Sequence, residues 1–279
     1  SREWLITNGI GGYASSTALG INTRKYHGLL VAPLTPPARR HVILSKLDES
    51  IEIDKNKYDL FSNISNDFIS DGYKHLVSFE KDYIPVFTYE IKGVKIKKSI
   101  CMEYGKNTVV VSYHIESQKN AKLTIAPIIN FRDFHTINSG HKFNLKQEAD
   151  NNKIKIIVDD EKKNPIYINL SDGRYIEHEN DRFNNMFYKE EANRGFYPEE
   201  NHAVPGRYEV LIKAGKEKDI TFTCSLCEDI EEIEGSNIIR KEINRINEQI
   251  KDVKEYLKQS KSEEQLEKIT DDLIKKYVI

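Results

Sequence analysis

A dozen short segments rich in β-branched and aromatic residues follow one another between residues 25 and 226, separated by turns and not by helical periods. They cover 25–32, 41–45, 50–54, 86–91, 94–102, 108–116, 121–130, 153–159, 166–171, 174–178, 207–213 and 218–226. Strands arriving this often leave no room for the crossover helices of a parallel sheet. The pattern therefore predicts an antiparallel sandwich. Turn chemistry marks three junctions: Lys92-Gly93, Asp172-Gly173 and Ala214-Gly215-Lys216. Asp172-Gly173 is the strongest hairpin signal, because glycine tolerates the positive φ of a tight hairpin turn. Lys95 and Lys97 alternate with Val94 and Ile96, which is the pattern of a solvated strand face.

The period changes after residue 227. Glu228-Asp-Ile-Glu-Glu-Ile-Glu-Gly235 is an acidic linker. Beyond it Ile239, Ile243, Ile246, Ile250, Val253 and Leu257 recur at steps of four and three, the stripe of an amphipathic helix with Ser236 as its expected N-cap. Ser262-x-x-Gln265 then reads as a capping box opening a second helix with Leu266, Ile269, Leu273 and Tyr277 on one face. The expected division is a β domain over 1–230 and a hinge with two linker helices over 231–279.

Composition narrows the function classes. Forty-two Lys and Arg against forty-four Asp and Glu leave a charge of −2, which gives no footprint for nucleic acid or an anionic membrane. Mean hydropathy is −0.60. No apolar run reaches the roughly 20 residues of a membrane helix. No basic-then-apolar leader marks secretion, and three cysteines without a disulfide framework fit a cytoplasmic protein. Cys224-x-x-Cys227 sits in a strand-like setting and reads as buried thiols, since redox pairs of this spacing usually open a helix. The eight histidines show no H-x-x-x-H, so no metal site is expected, and no cofactor motif is present. A Gly-x-Ser-x-Gly elbow is also missing. Adjacent carboxylates such as Asp48-Glu49, Asp159-Asp160 and Glu199-Glu200 point to opposite faces of a strand, so adjacency does not make them an acid/base pair. No catalytic residue is assigned.

Four polar clusters are candidates for a binding site. Asn8-Gly-Ile-Gly-Gly-Tyr13 packs three glycines into four positions, which implies positive φ or close backbone approach. In Asn22-Thr-Arg-Lys-Tyr-His-Gly28, a strand from residue 24 would place Arg24 and Tyr26 on one face and Lys25 and His27 on the other. Asn130-Phe-Arg-Asp-Phe-His135 lies just past an expected strand, at the mouth of a sandwich. Residues 188–206 read as a long ordered loop carrying Arg194. The glycine loop reads alternatively as a tight structural turn, and the 22–28 cluster equally as a buried arginine held by a carboxylate with Tyr26 and His27 satisfied in the core.

These clusters also carry a resemblance. Ser1-Arg-Glu-Trp-Leu-Ile-Thr-Asn-Gly-Ile-Gly-Gly-Tyr-Ala-Ser15, running into Gly20-Ile-Asn-Thr-Arg-Lys-Tyr-His-Gly-Leu-Leu30, resembles the N-terminal domain of bacterial and archaeal glycogen debranching enzymes of the amylo-α-1,6-glucosidase type. Pro36-Pro37, Arg40 and residues 44–49 resemble the segment that follows there; Asn130–His135 and Glu191-x-x-Arg194-Gly195 resemble two later blocks more loosely. The resemblance implies a mainly β fold, a large antiparallel β-super-sandwich followed by a C-terminal α-helical linker. It implies a non-catalytic domain whose partner is an (α/α)6 catalytic barrel of the same polypeptide, acting on an α-glucan such as glycogen or limit dextrin. The parent would be a hydrolase and these 279 residues alone inactive. Asn8, Arg24, Tyr26, His27, Arg132, His135 and Arg194 are the substrate-binding candidates. The rival is a stand-alone glucan-binding or scaffolding module without hydrolase activity, which predicts malto-oligosaccharide binding by the isolated chain.

Overall fold

A computed structural model describes residues 2–65, 68–140, 143–178, 181–230, 235–259 and 268, with side chains 254 and 256–259 left aside. The chain opens with β1 (Glu3–Thr7), β2 (Tyr13–Thr17), β3 (Gly28–Thr35), β4 (Ala38–Ile53) and β5 (Asn56–Asp59). Two short strands, β6 (Ile64–Ser65) and β7 (Phe68–Ile69), precede β8 (Leu76–Lys81), β9 (Pro85–Ile91), β10 (Val94–Met102) and β11 (Thr108–Ser117). Next come β12 (Ala121–Asp133), β13 (Leu145–Asp150), β14 (Lys153–Val158), β15 (Ile166–Leu170), β16 (Arg174–Glu177) and β17 (Arg182–Phe187). A one-turn helix α1 (Lys189–Asn193) leads to β18 (Glu199–Ala203), β19 (Gly206–Ile212) and β20 (Lys216–Ser225), and α2 (Gly235–Gln259) follows.

These strands form two antiparallel sheets. The larger has the path β1-β2-β3-β4-β12-β18-β17-β6-β7, with β5 on β4, β19 on β12 and β16 on β19. The smaller runs β13-β14-β15-β20-β11-β10-β9-β8. Their inner faces share one core, from Ile51, Leu123, Ile125 and Tyr208 of the large sheet to Ile96, Val111, Ile168 and Phe222 of the small one. Period two explains the split: in β10, Val94, Ile96 and Ile100 are buried while Lys95 and Lys97 are exposed. Lys98 takes an inward position in that strand. Its Nζ lies 2.5 Å from Glu49 Oε1 on β4, and Tyr113 on β11 donates to the same oxygen at 2.7 Å. A charged pair thus ties the two sheets together across the core.

The super-sandwich expectation holds, and several junctions differ from it. Lys92-Gly93 closes the β9–β10 hairpin with both φ values positive, the requirement of a type I′ turn. Asp172-Gly173 closes no hairpin. β15 pairs with β14 and β20 in the small sheet, whereas β16 pairs with β19 in the large one, so the chain changes sheet there. Both are X-Gly pairs in sequence, but only Gly173 of the second pair has positive φ, and the long-range partners of the flanking strands decide between a hairpin and a corner. Ala214-Gly215 likewise joins β19 of one sheet to β20 of the other. The segments expected at 41–45 and 50–54 are parts of one sixteen-residue strand, β4.

Cys101 and Cys224 are buried free thiols, and Cys227 follows the end of β20. Burial raises the Cys101 thiol to about 12, so it is protonated and inert at neutral pH. Helix α2 covers Cys101, Ile84 and Val110 with Ile238 and with Ile239 of the expected stripe, while Ile250 is exposed. The helix begins at Gly235, so Ser236 lies in its first turn and does not precede it as an N-cap. A Cβ at Gly235 would come within 2.3 Å of Thr221, which lets the helix start hard against β20. Of the second helix expected at 262–277, only Lys268 is among the described residues, and it is helical.

Candidate functional site

Residues 22–27 form a turn, not a strand. The His27 amide donates to the Arg24 carbonyl at 3.0 Å, and the Thr23 amide donates to His27 Nδ1 at 3.1 Å. Asn22 anchors the turn from below: its amide donates to the Ser45 carbonyl at 3.1 Å and accepts from Ser16 Oγ at 2.8 Å. The two-face alternation expected for Arg24 and Tyr26 against Lys25 and His27 therefore does not occur, and β3 starts at Gly28.

Each residue of this turn has a distinct fate. Arg24 Nε donates to Glu3 Oε1 at 2.7 Å, and its side chain is 34% exposed. His27 is buried. Burial pushes its imidazole down to about 4, against the pull of Glu3, so the ring is neutral at ordinary pH. Because Nδ1 accepts from Thr23, the proton sits on Nε2, which has no hydrogen-bond partner. Lys25 Nζ donates to the His135 carbonyl at 2.6 Å. Tyr26 Oη stands 3.2 Å from His135 Nδ1, and its ring packs edge-on against Phe134, centroids 5.5 Å apart.

Beneath the turn lies a buried polar network. Asn130, Arg132 and Asp133 belong to β12 itself, which extends further than expected, through two register shifts opposite β4. Arg132 grips Glu200 of β18 with two parallel bonds: Nε to Oε1, and Nη2 to Oε2 at 2.8 Å. Nη2 also donates to the Lys25 carbonyl at 2.7 Å, which fixes the turn from inside. Tyr188 donates to Glu200 Oε2 at 2.5 Å, and the Asn138 amide donates to Oε1 at 3.0 Å. Burial would raise the Glu200 carboxyl, but Arg132 and His202 hold it below the usual carboxylate range. His202 accepts from the Asn130 amide at Nδ1 (3.1 Å), and burial pushes it down to about 4. Arg132 is therefore fully engaged with protein groups.

The expected loop at 188–206 contains α1 and β18. The Glu190 amide donates to the Thr23 carbonyl at 2.9 Å, which seats α1 on the turn. Arg194 is half-exposed, with its guanidinium 5.1 Å from the Phe196 ring centre, and Lys25 Nζ lies 5.7 Å from the same centre. Phe196 and Tyr197 remain 53% and 57% exposed. Glu191 is fully buried, and neither of its carboxylate oxygens has a hydrogen-bond partner. Its counter-charge is Arg194, Nη1 to Oε2 3.7 Å.

Arg24, Tyr26, His27, Arg132, His135 and Arg194 thus converge at one end of the large sheet. Asn8 does not join them. Its amide donates to the Lys106 carbonyl at 2.9 Å, and its Oδ1 accepts from the Gly12 amide at 2.8 Å, so it is a buried organiser of the glycine loop. Gly11 in that loop has φ +95°, and a Cβ there would lie 2.6 Å from the Pro37 carbonyl oxygen. Asn8→Ala strands the Gly12 amide and should cost about 1–3 kcal/mol in urea unfolding. A cost below about 0.5 kcal/mol would show the loop to be self-supporting.

Sequence reasoning did not single out Glu3, nor Tyr188, Glu191 and His202 within the 188–206 cluster. A buried carboxylate is the natural partner of a buried arginine, but which of many glutamates fills that role is set by distant strand pairing. Glu200 was visible only as half of an adjacent pair. The pair behaves as period two requires, with Glu200 fully buried and Glu199 half-buried on the opposite face.

Two antiparallel sheets stacked on one core, followed by a helix, define a β-super-sandwich domain. The family described as glycogen debranching enzyme N terminal matches residues 2–219, and the chain belongs to that family. Similar solved structures include a bacterial glucoamylase complexed with acarbose, at 12% identity over 88% of this chain and 34% of that one, TM-score 0.42. The GalM/aldose epimerase homologue of C. elegans shares 9% identity over 80% of this chain and 97% of its own, TM-score 0.46. The 4-α-glucanotransferase of Thermococcus litoralis shares 10% over 80% of this chain and 37% of its own, TM-score 0.38. The chain spans about a third of the length of the glucoamylase and of the glucanotransferase. No curated protein matches it.

Proposed function

We propose that this chain is the non-catalytic N-terminal domain of a cytoplasmic glycogen debranching enzyme, with the sandwich over 1–230 and the linker over 231–279. It packs on an (α/α)6 barrel of the same polypeptide and shapes one side of that barrel's substrate pocket. The observation that carries this reading is the family match across residues 2–219. The reaction is hydrolysis of the α-1,6-linked glucose at a branch stub. One carboxylic acid protonates the glycosidic oxygen, one carboxylate activates water, and both belong to the barrel. This chain contributes recognition through Arg24, Tyr26, His135 and Arg194, whose planar donors and rings suit hydroxyl-rich ligands.

The polypeptide that continues past Ile279 should release glucose from limit dextrin, and residues 1–279 alone should not. Arg24→Ala in the longer polypeptide should lower kcat/KM several-fold with little change in Tm. Glucose release by the 279 residues alone overturns the reading. Release by neither, with tight malto-oligosaccharide binding, would make the chain a glucan-binding module. Unchanged kinetics with a lowered Tm would leave Arg24 a structural role only.

A further inference from the structure

Two buried glutamates on this surface are treated in opposite ways. Glu200 receives two bonds from Arg132, one from Tyr188 and one from the Asn138 amide. Glu191, equally buried, receives none at either oxygen. A carboxylate out of water without donors works against folding, and a neutral or apolar residue there would be tolerated better. Such a group is expected where a ligand completes it.

We propose that Glu191 is the hydroxyl acceptor of this surface: when Arg194 turns aside, its carboxylate takes two neighbouring hydroxyls of an uncharged polyol, such as adjacent hydroxyls of one glucose unit. The proposal rests on the reading above, that this end of the sheet meets an α-glucan.

Three features support it. Arg194 stands 3.7 Å from Oε2 without hydrogen-bonding it, and its half-exposed side chain rotates without backbone movement. The neighbouring turn holds an unmated donor, His27 Nε2–H, 3.7 Å from Glu3 Oε1. A polyol, being donor and acceptor at every hydroxyl, matches a bare acceptor and a bare donor alike. Both signs of charge are interspersed here, with Glu3, Glu190 and Glu191 acting on Arg24 and with Lys25 and Arg194 at Phe196. This mixture disfavours an ionic ligand and leaves a neutral one. The ring of Phe196 already has Lys25 and Arg194 against it, so recognition there relies on hydrogen bonds more than on ring stacking.

The test is calorimetric titration of the 279-residue chain with maltotetraose and with panose, alongside thermal melts. Wild type should bind weakly, in the millimolar range. Glu191→Gln should weaken binding about ten-fold or more, through loss of charge-assisted bonds, with Tm unchanged or raised. Glu191→Ala should show the same loss of binding. No binding by wild type, or equal affinity in Glu191→Gln, overturns the proposal. A Tm that falls by several degrees in Glu191→Gln also overturns it, because the carboxylate would then be a structural partner of Arg194. Glucose release by the longer polypeptide is a separate readout. If release persists while Glu191 proves irrelevant to binding, the domain assignment stands and this inference falls. Binding that depends on Glu191 without any hydrolysis gives the reverse.

Discussion

Arg132→Ala should destabilise the protein by about 3–5 kcal/mol, the usual cost of removing one partner from a buried ion pair. The guanidinium is buried between β12, β18 and the turn at 23–27. Its loss leaves Glu200 with only Tyr188 and the Asn138 amide as donors, and removes the donors to the Lys25 and Asp133 carbonyls. A domain of this kind has about 5–15 kcal/mol of stability in total, so the expected fall in Tm is on the order of 10 °C. Urea unfolding followed by Trp4 fluorescence measures it, since Trp4 is buried on β1. The double variant Arg132→Met with Glu200→Leu should recover much of the loss, because it strands no charge. A cost of Arg132→Ala below about 1 kcal/mol would mean that Glu200 reaches water or a proton once Arg132 is gone.

Stability should also fall steeply as the medium is acidified from pH 6.5 towards 4. His27 and His202 are each held near 4 by burial, against an ordinary value of 6.5. Between those limits the unfolded chain takes up protons that the folded chain refuses. Unfolding therefore becomes easier as pH drops, and the loss levels off near pH 4. Each histidine carries on the order of 3 kcal/mol across that window. Glu200 acts later: its carboxyl is lowered when folded, so its contribution is present above the unfolded value of 4.5 and is lost below it. His114 is raised by Asp219 and works in the opposite direction, but it is exposed and screened by solvent. Urea midpoints at pH 7.5, 6 and 5 check the slope, and His202→Gln should flatten it by about half. A flat profile between pH 7 and 5 would show that both rings protonate freely in the folded state.

Several elements were readable from sequence because their cause is local. The boundaries of β10 match the expected span at both ends, since alternation and the Lys92-Gly93 turn are written in neighbouring residues. The amphipathic stripe from Ile239 to Leu257 lies wholly within α2. By contrast β1, β2, β13, β17 and β18 escaped. Their segments, such as Glu199-Glu-Asn-His-Ala203, are polar or mixed and become strands through pairing with partners far along the chain. The candidate site divides in the same way. Clusters around Arg24, Arg132 and Arg194 stood out by composition, but composition could not separate Arg132, closed on Glu200, from Arg194, half-exposed over Phe196.

The amino-acid sequence by itself determined the class of fold, the shift from strand to helix after residue 227, and the family, because periodicity and short motifs depend on neighbours in the chain. Tertiary structure alone decided that Asp172-Gly173 turns a corner between sheets, that residues 22–27 form a turn pinned from below, and that Asn8 serves its own loop. It also decided which glutamate is satisfied and which is left bare. Hydrogen-bond saturation is a property of three-dimensional neighbours: Glu200 meets Arg132 across 68 residues of sequence, and Glu191 has the Arg194 ion pair at 3.7 Å but no hydrogen bond among the described residues.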